Sequence, residues 1–237
     1  MMLNQEREAQ QMADNIKDTA ELQSINLFAV QESYKTIRTN IFLSVIKEGC
    51  KRIVITSSLP SEGKTTTSMN LAISMAQAYM KVLIIDCDLR KSKIHKVLNI
   101  PNVPGLTNVI SGMEKYSVAI RETKYTGLHV LTAGLQVPNP SEILASEYTA
   151  RLLDELSKEY DYIILDSPPL NIVADALPLV RISDGVVLVV KQNQTTHNDL
   201  KKAIDSLEFI NAKIFGIILN GVEDINKKYY KYKYKYK

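Results

Sequence analysis

Residues 52–66 read RIVITSSLPSEGKTT, and much of the architecture follows from them. The first six residues, Arg52 to Ser57, form a short β-branched run of the kind found in buried strands. A turn containing Gly63 follows, and a helical pattern continues from Lys64. A strand, a loop and a helix in this order match the pattern GxxxxGKS/T, in which only the first glycine is missing and Ser58 takes its place. The stretch therefore predicts a phosphate-binding loop that opens a helix.

Each residue type in this loop has a chemical reason. Gly63 lets the backbone approach a phosphate, and the amides of residues 62–66 point at it from the helix N-terminus. Lys64 supplies a cation to the β and γ phosphates of a nucleotide, and Thr65 offers a hydroxyl to Mg²⁺. We therefore expect ATP and Mg²⁺ as ligands; the alternative is a Ser/Gly-rich turn that only caps a helix. The predicted nucleotide-binding residues are Ser61, Glu62, Gly63, Lys64, Thr65, Thr66 and Asn220.

Apolar runs and helical stretches alternate along the rest of the chain. The further predicted strands are Lys81–Asp86, Leu128–Leu131, Tyr162–Asp166, Val186–Val190 and Ile214–Leu219. The predicted helices are Glu32–Lys47, Lys64–Tyr79, Ser146–Tyr160 and His197–Ile210. This alternation predicts an α/β fold, a doubly wound and mostly parallel sheet of the P-loop NTPase type, whose ligand lies at the carboxyl ends of the strands.

Two of the predicted strands end in acidic residues. Asp86 and Asp88 follow the strand that starts at Lys81, and Asp166 closes the strand that starts at Tyr162. Taken alone, an aspartate after a strand is more often a turn or helix cap. Because the carboxyl ends of parallel strands meet near the phosphate loop, three such acids together favour a magnesium site. The predicted metal ligands are Thr65, Asp86 and Asp166.

The composition is that of an ordinary folded domain. The 237 residues are 45% hydrophobic, and the two cysteines, Cys50 and Cys87, form neither a disulfide framework nor a metal motif. No apolar run approaches the ~20 residues needed to cross a bilayer, and the polar start has no signal-peptide core. We therefore expect a cytoplasmic protein with one folded domain over residues 29–222, a polar segment before it (1–28) and a tail after it (223–237).

The tail is unlike the rest of the chain. Residues 227–237 read KKYYKYKYKYK, with six lysines, no acid and five of the twelve tyrosines. Because the lysines repel one another, we expect this segment to be disordered when free. It fits a cluster of phosphate acceptors, a nucleic-acid-binding tail in which tyrosines stack on bases, or a solvated tail without function. Phosphorylation adds about −1.5 to −2 per tyrosine, so modification of all five would reverse the charge of the tail and is expected to weaken docking at an acidic active-site mouth.

Together these features resemble the bacterial tyrosine kinases of capsule and exopolysaccharide synthesis, in particular the separate catalytic subunit of Gram-positive bacteria. Residues 58–65 resemble the Walker A motif of that family, residues 84–90 its Walker A′ motif, residues 163–169 its Walker B motif, and the terminal tyrosines its autophosphorylation cluster. The resemblance implies an ATP- and Mg²⁺-dependent protein-tyrosine autokinase that regulates polysaccharide synthesis and export.

The resemblance also implies residue roles. Asp88 would orient the phenol and take its proton, Asp86 and Asp166 would serve the metal, and Lys64 and Arg90 would offset charge on the transferred phosphoryl group. The roles of the three carboxylates could be exchanged. The implied catalytic residues are Lys64, Asp86, Asp88 and Arg90. The implied phosphate acceptors are Tyr229, Tyr230, Tyr232, Tyr234 and Tyr236.

Assembly is a further implication. Residues 32–38 resemble the ExxRxxR oligomer motif of the family, with Lys35 in place of the first arginine. On a helix, Glu32, Lys35 and Arg38 share one broad face suited to subunit contacts; a solvated helix face is the alternative. The family implies a ring-shaped homo-oligomer, a membrane-anchored activator that regulates chain length, and a cognate tyrosine phosphatase. The protein is then expected at the inner face of the plasma membrane, bound through its partner, with no nucleic acid.

A rival function comes from another class of the same superfamily. Partition and septum-positioning ATPases carry an extra lysine four residues before the second glycine of the loop, where this chain has Leu59. The rival is a nucleotide-switched positioning module whose basic tail binds DNA or anionic lipid.

Overall fold

Seven strands form one sheet within residues 28–222, the part of the chain that the computed structural model describes. The strands are β1 (Lys51–Ser57), β2 (Val82–Asp86), β3 (Arg121–Glu122), β4 (Leu128–Leu131), β5 (Tyr162–Asp166), β6 (Gly185–Lys191) and β7 (Ile214–Asn220). They lie in the order β3-β4-β2-β5-β1-β6-β7, and every neighbouring pair is parallel except β3 with β4. The predicted doubly wound, mostly parallel sheet is confirmed.

Helices cover both faces of this sheet. The helices are α1 (28–44), α2 (Lys64–Ala76), α3 (Ile94–Leu98), α4 (Leu106–Ile110), α5 (Tyr116–Ala119), α6 (Pro140–Leu144), α7 (Glu147–Leu156), α8 (Ala176–Arg181) and α9 (His197–Phe209). Successive residues of a strand point to opposite faces, so Leu83 and Ile85 pack with α4 to α9, while Val82 and Ile84 pack with α1 to α3. Burial on both faces explains why the central strands are continuous in apolar residues.

The strand boundaries and those of α9 follow the sequence closely, whereas α2 and α7 end earlier than predicted and α1 is displaced towards the N-terminus. Each predicted strand is present to within one residue at either end. Helix α2 ends at Ala76 instead of Tyr79, because Tyr79 takes a left-handed backbone conformation, with φ 63°, that turns the chain towards β2. Helix α7 ends at Leu156 instead of Tyr160, since Asp161 already donates a backbone hydrogen bond to Lys81 at 2.8 Å. Helix α1 occupies 28–44 instead of 32–47, and the two-residue β3 is too short to show periodicity.

The strand order places the predicted site at one edge of the sheet. Strand β5 lies between β1 and β2, and the register pairs Asp86 at the end of β2 with Asp166 at the end of β5. The loop that leaves β1 starts at the same edge, because these three strands are parallel. The topology alone therefore brings the loop and the acids together.

Several expectations concern residues outside the described part. The polar segment up to residue 27 and the tail 223–237 with its five tyrosines lie outside the described residues, while residue 28 already belongs to α1. The expected domain limits of 29 and 222 stay predictions. Across residues 28–222, no helix has the length and apolar character that a membrane crossing requires.

The buried central strand gives a test of the core. We expect Ile84→Ala to lower the free energy of unfolding by about 2 to 5 kcal/mol, because the side chain is fully buried and its removal leaves a cavity. The matched change Ile172→Ala, at a residue that is 58% exposed, should cost no more than about 0.5 kcal/mol. Urea unfolding monitored by circular dichroism measures both. Equal losses for the two variants would contradict this packing.

Candidate active site

The loop after β1 turns tightly at Gly63, which precedes α2. Its φ of 95° is one that residues with side chains rarely adopt. A Cβ atom at this position would lie 2.0 Å from the Nδ2 atom of Asn220, which donates a hydrogen bond to the carbonyl of Glu62 at 3.0 Å. Asn220 is the last residue of β7. The fold thus places the predicted Asn220 directly on the phosphate loop.

The side chain of Glu62 braces the loop from inside. It is fully buried, and its carboxylate accepts hydrogen bonds from the backbone of Leu59 at 2.8 Å and from the Thr195 hydroxyl. Beside it, Gln194 donates from Nε2 to the carbonyl of Pro60 at 2.9 Å. The sequence predicted only a nucleotide contact at residue 62. It carried no signal for Gln194 and Thr195, because isolated polar residues after a strand are common.

The other loop residues divide into buried and exposed groups. Lys64 and Thr65 are buried at the start of α2, whereas Ser61 and Thr66 are exposed. Ser58, which replaces the first glycine of the pattern, buries a hydroxyl that has no hydrogen-bond partner among the described residues. The loop therefore offers exposed groups around a buried lysine and threonine, as a phosphate site requires.

Three aspartates converge beside this loop. Asp86, Asp88 and Asp166 are exposed by only 0%, 5% and 1%. The Nζ atom of Lys64 lies 2.9 Å from Oδ2 of Asp88, so a buried ion pair links α2 to the segment after β2. The structure thus brings together the lysine and all three acids that the sequence proposed. Burial and the charges of neighbouring carboxylates raise the pKa values of Asp86 and Asp166.

Asp86 is held mainly by backbone amides. Its Oδ2 accepts from the amides of Lys93 and Ile94, both at 3.0 Å, and its Oδ1 from the amide of Asp88 at 3.2 Å. Burial and the nearby Asp166 raise the pKa of Asp86 to about 7, although the amides partly oppose this shift. Asp86 thus fixes the path of the chain into α3, and its ionisation is sensitive to the charges around it.

Asp166 has one oxygen that is free to bind a ligand. Its Oδ1 accepts from the Ser68 hydroxyl at 3.0 Å, whereas its buried Oδ2 has no partner among the described residues. Burial raises its pKa, while Lys64, Thr65 and Ser68 act in the opposite direction. A buried, unpartnered carboxylate oxygen beside Thr65 is the donor chemistry that Mg²⁺ prefers. Within residues 28–222 no three acidic, histidine or cysteine side chains form a metal cluster, so a cation here would need other ligands.

Lys64 compensates the negative charge of the site. Burial alone would lower its pKa, but Asp166, Asp88 and Asp86 together raise that pKa above its ordinary value. Lys64 is therefore a buried, charged ammonium group surrounded by carboxylates. An ammonium group held in this way is suited to stabilise negative charge on a phosphoryl group in a site that excludes water.

Arg90 is bound to a different partner. Its guanidinium donates from Nε and Nη2 to the two oxygens of Asp175, at 2.7 and 3.2 Å. Burial favours the neutral form of Asp175, yet the hydrogen bonds from Arg90 and Ser141 hold its pKa below the usual range. The expected role of Arg90 at the transferred phosphoryl group stays a prediction, and it would require this bidentate pair to open.

Comparison with known proteins identifies the family. A family model described as an AAA domain matches residues 50–218. The protein CapB of Staphylococcus aureus is 40% identical over 204 residues, 86% of this chain and 90% of that protein. The tyrosine-protein kinase YwqD of Bacillus subtilis is 39% identical over 210 residues, 89% of this chain and 87% of that protein. This chain belongs to the bacterial tyrosine-protein kinases.

Solved structures agree with that assignment. The kinase domain of the Escherichia coli tyrosine kinase ETK superposes with a TM-score of 0.78 at 32% identity, over 81% of this chain and 75% of that one. The septum site-determining protein MinD of Pyrococcus horikoshii has a TM-score of 0.62 at 24% identity, over 74% and 73% of the chains. The similarity to MinD shows the fold alone: this chain and MinD share the same type of sheet.

Helix α1 of this tyrosine kinase carries the predicted oligomer motif. Glu32 and Lys35 form an exposed ion pair of 2.6 Å, with side chains 33% and 51% accessible. Arg38 instead turns towards α2 of its own chain, where it donates to the carbonyl of Ser74 at 2.5 Å. The structure therefore presents two of the three residues on an outer face and uses the third within the subunit.

The contact at Gly63 gives a test of nucleotide binding. We expect Gly63→Ala to weaken binding of a fluorescent ATP analogue at least tenfold, because a Cβ displaces Asn220 and strains the loop. The matched change is Gly112→Ala, at a glycine with φ +71° and no atom within 4 Å of the added Cβ. Titration by fluorescence anisotropy should give a less than twofold effect for this control. Unchanged affinity in Gly63→Ala would place the nucleotide elsewhere.

Proposed function

We propose that this tyrosine kinase transfers the γ-phosphoryl group of ATP to tyrosines in its own segment 229–236. The observation that carries the proposal is the buried pair of Lys64 and Asp88, 2.9 Å apart at the phosphate loop. In this pair, Lys64 is the cation that would contact the phosphoryl group, and Asp88 is the carboxylate that would accept the proton of the phenol. The family assignment to tyrosine-protein kinases supports the acceptor chemistry.

The chemistry needs little more than this pair. A tyrosine phenol has a pKa of about 10 and is protonated at neutral pH. Asp88 orients the phenol and takes its proton as the phenolic oxygen bonds to the γ phosphorus, while the bond to the bridging oxygen breaks and ADP leaves. The transition state is loose, so position and charge compensation matter most. Lys64 has three N–H donors, so it can contact a phosphate oxygen and still hold Oδ2 of Asp88.

The donor set also fits a magnesium ion. The hydroxyl of Thr65 and the unpartnered Oδ2 of Asp166 would hold it, and Asp86 would act through water. This small number of protein ligands is consistent with Mg²⁺, which usually keeps several waters and also binds phosphate oxygens. When bound, the ion neutralises charge on the β and γ phosphates.

The position of β7 supports the use of the tail as substrate. Its last residue, Asn220, already contacts the phosphate loop. The chain from Asn220 to Tyr236 comprises 16 residues, which reach at most about 55 Å when extended. A flexible chain of this length has a root-mean-square span of about 22 Å. Both the same subunit and a neighbour lie within that reach, and we favour transfer between the subunits of a ring.

Helix α1 supports assembly into such a ring. Besides the pair of Glu32 and Lys35, it exposes Phe42 and Leu43, which are 56% and 68% accessible, and Ile46 just after its end is 95% accessible. Exposed apolar side chains next to charged ones are typical of protein interfaces. The proposal includes a membrane-anchored activator that would hold the kinase at the inner face of the plasma membrane. It also includes a cognate phosphatase and a role in capsule or exopolysaccharide synthesis and export.

Loss of the lysine tests the proposed reaction. We expect Lys64→Met to lower phosphotyrosine formation at least about 100-fold in phosphatase-treated protein given ATP and Mg²⁺, because the phosphoryl group loses its buried cation. Intact-mass spectrometry and mapping of the peptide after Asn226 measure the product. The matched control Lys202→Met, on the exposed side of α9, should stay within twofold.

Two outcomes would contradict the reaction. Undiminished phosphotyrosine in Lys64→Met would show that the site lies elsewhere. Steeply salt-dependent DNA binding by a wild-type protein that takes up no phosphate would favour the positioning function instead.

The exposed pair on α1 tests assembly. We expect the double variant Glu32→Ala, Lys35→Ala to shift the protein towards a lower mass by light scattering, because a charged contact between subunits is lost. The matched control is Glu155→Ala, Lys158→Ala, which removes an exposed pair with the same spacing at the C-terminal end of α7, at 2.7 Å. The control should leave the mass unchanged. An unaltered mass in the α1 variant would assign that pair to a solvated face.

A further inference from the structure

A basic pocket lies directly beside the catalytic carboxylates. It has a volume of about 540 Å³ and is formed by the segment after β2 together with residues that follow α3 and β4. Its lining includes Arg90, Lys91, Lys93, His95 and Lys96, and no lining residue is acidic. A pocket of this size and charge is suited to an anionic group.

The positive charge of the pocket is largely uncompensated. Lys91, Lys93 and Lys96 are exposed, and within residues 28–222 none of them has a carboxylate at ion-pair distance. In contrast, Arg90 is already paired with Asp175. Three unpaired ammonium groups on one rim attract anions and repel cations.

The nearby acids do not cancel this charge, because they point inwards. Asp88 accepts from the amide of Lys91 at 3.0 Å, and Asp86 accepts from the amide of Lys93 at 3.0 Å. The backbone therefore turns towards the buried carboxylates while the lysine side chains face solvent. The sequence predicts an acidic active-site mouth, but on this side of the site the surface is basic. The sequence could not show this, since acids and lysines alternate within a few residues.

His95 adds an unused polar group to the same pocket. Its Nδ1 atom is buried and has no hydrogen-bond partner among the described residues. Such a nitrogen can donate to a phosphate oxygen when it carries a proton. An unpartnered donor beside unpaired lysines is the combination that recognises a phosphate ester.

We propose that this pocket binds a phosphotyrosine of residues 229–236 and so presents the next tyrosine of the tail to Asp88. The inference rests on the proposed autokinase function and names a second, product-binding role for the surface next to that site. The unmodified tail carries six lysines and would be repelled by the rim. Each phosphate adds about −1.5 to −2 at the modified tyrosine, so that side chain carries a local negative charge that the lysines of the rim can bind.

The spacing of the tyrosines is compatible with the short distance between the pocket and Asp88. The amide of Lys91 contacts Asp88, so the rim of the pocket starts where the proton acceptor lies. From Asp88 to Lys91 the Cα atoms are at most about 11 Å apart. Alternate tyrosines of an extended chain are about 7 Å apart and point to the same side. A phosphotyrosine in the pocket therefore leaves the tyrosine two positions away close to Asp88, and later phosphorylations should follow the first more readily.

A binding experiment tests the pocket without requiring catalysis. The probe is a fluorescein-labelled peptide with the sequence of residues 227–237, phosphorylated at Tyr234, and the protein is the full chain after phosphatase treatment, without nucleotide. We expect fluorescence anisotropy to show at least tenfold tighter binding of this peptide than of its unphosphorylated form. The triple variant Lys91→Gln, Lys93→Gln, Lys96→Gln should lose at least tenfold of that affinity.

The matched control removes the same charge elsewhere. In Lys115→Gln, Lys201→Gln, Lys202→Gln, three other exposed lysines are replaced, and binding should change less than twofold. Equal losses of affinity in both triple variants would show that only net charge matters and would overturn the proposal. Equal binding of the phosphorylated and unphosphorylated peptides would overturn it as well. If circular dichroism shows that the pocket variant is unfolded, the single change Lys96→Gln replaces it, with an expected loss of at least twofold.

A second measurement separates this inference from the proposed function. With ATP and Mg²⁺, intact-mass spectra of the pocket variant should show the first phosphate appearing within twofold of the wild-type rate. Chains with three or more phosphates should become at least fivefold rarer. If the wild-type protein takes up no phosphate, the proposed autokinase function is wrong. The phosphopeptide measurement would then still show whether the pocket binds phosphotyrosine. Unchanged mass distributions would show that the pocket does not guide the tail.

Discussion

The buried ion pair of Lys64 and Asp88 joins the phosphate loop to the carboxyl end of β2. Three aspartates lie beside it, all almost completely buried, and two of them face each other in the register of β2 and β5. Repulsion and burial raise the pKa of both facing residues, Asp86 and Asp166. Lys64 interacts favourably with all three acids. Without its charge, the repulsion among these buried carboxylates would be uncompensated.

The same edge separates charge into an inner and an outer zone. Asp86 and Asp88 point inwards because backbone amides and Lys64 satisfy them, while the lysines that follow in the chain point outwards. A basic, tyrosine-rich tail therefore meets opposite conditions within a short distance. In the proposed reaction, an unmodified tyrosine would enter the inner zone, where Asp88 would accept its proton, and a phosphorylated one would bind in the outer zone. The charge of the segment at each moment would decide which zone it occupies.

The sequence predicts the strands and the site residues better than it predicts the contacts around them. Central strands buried on both faces leave unbroken apolar runs, so their ends were placed to within one residue. Helix ends depend on where the next strand must start, which explains the early stops of α2 and α7. The brace from Thr195 to Glu62 and the pair of Arg90 with Asp175 join residues more than 80 positions apart, and no local pattern marks them.

The amino-acid sequence by itself determined the local units. These are the strand, glycine turn and helix that start at residues 52–66, the acids directly after two apolar runs, and the tail of lysines and tyrosines. These units follow from the preferences of neighbouring residues, which act over a few positions. Only the tertiary structure decided which partner each charge takes. Lys64 meets Asp88, Asn220 covers Gly63, and Lys91, Lys93 and Lys96 have no carboxylate partner within residues 28–222, because strand order and register set those distances through space.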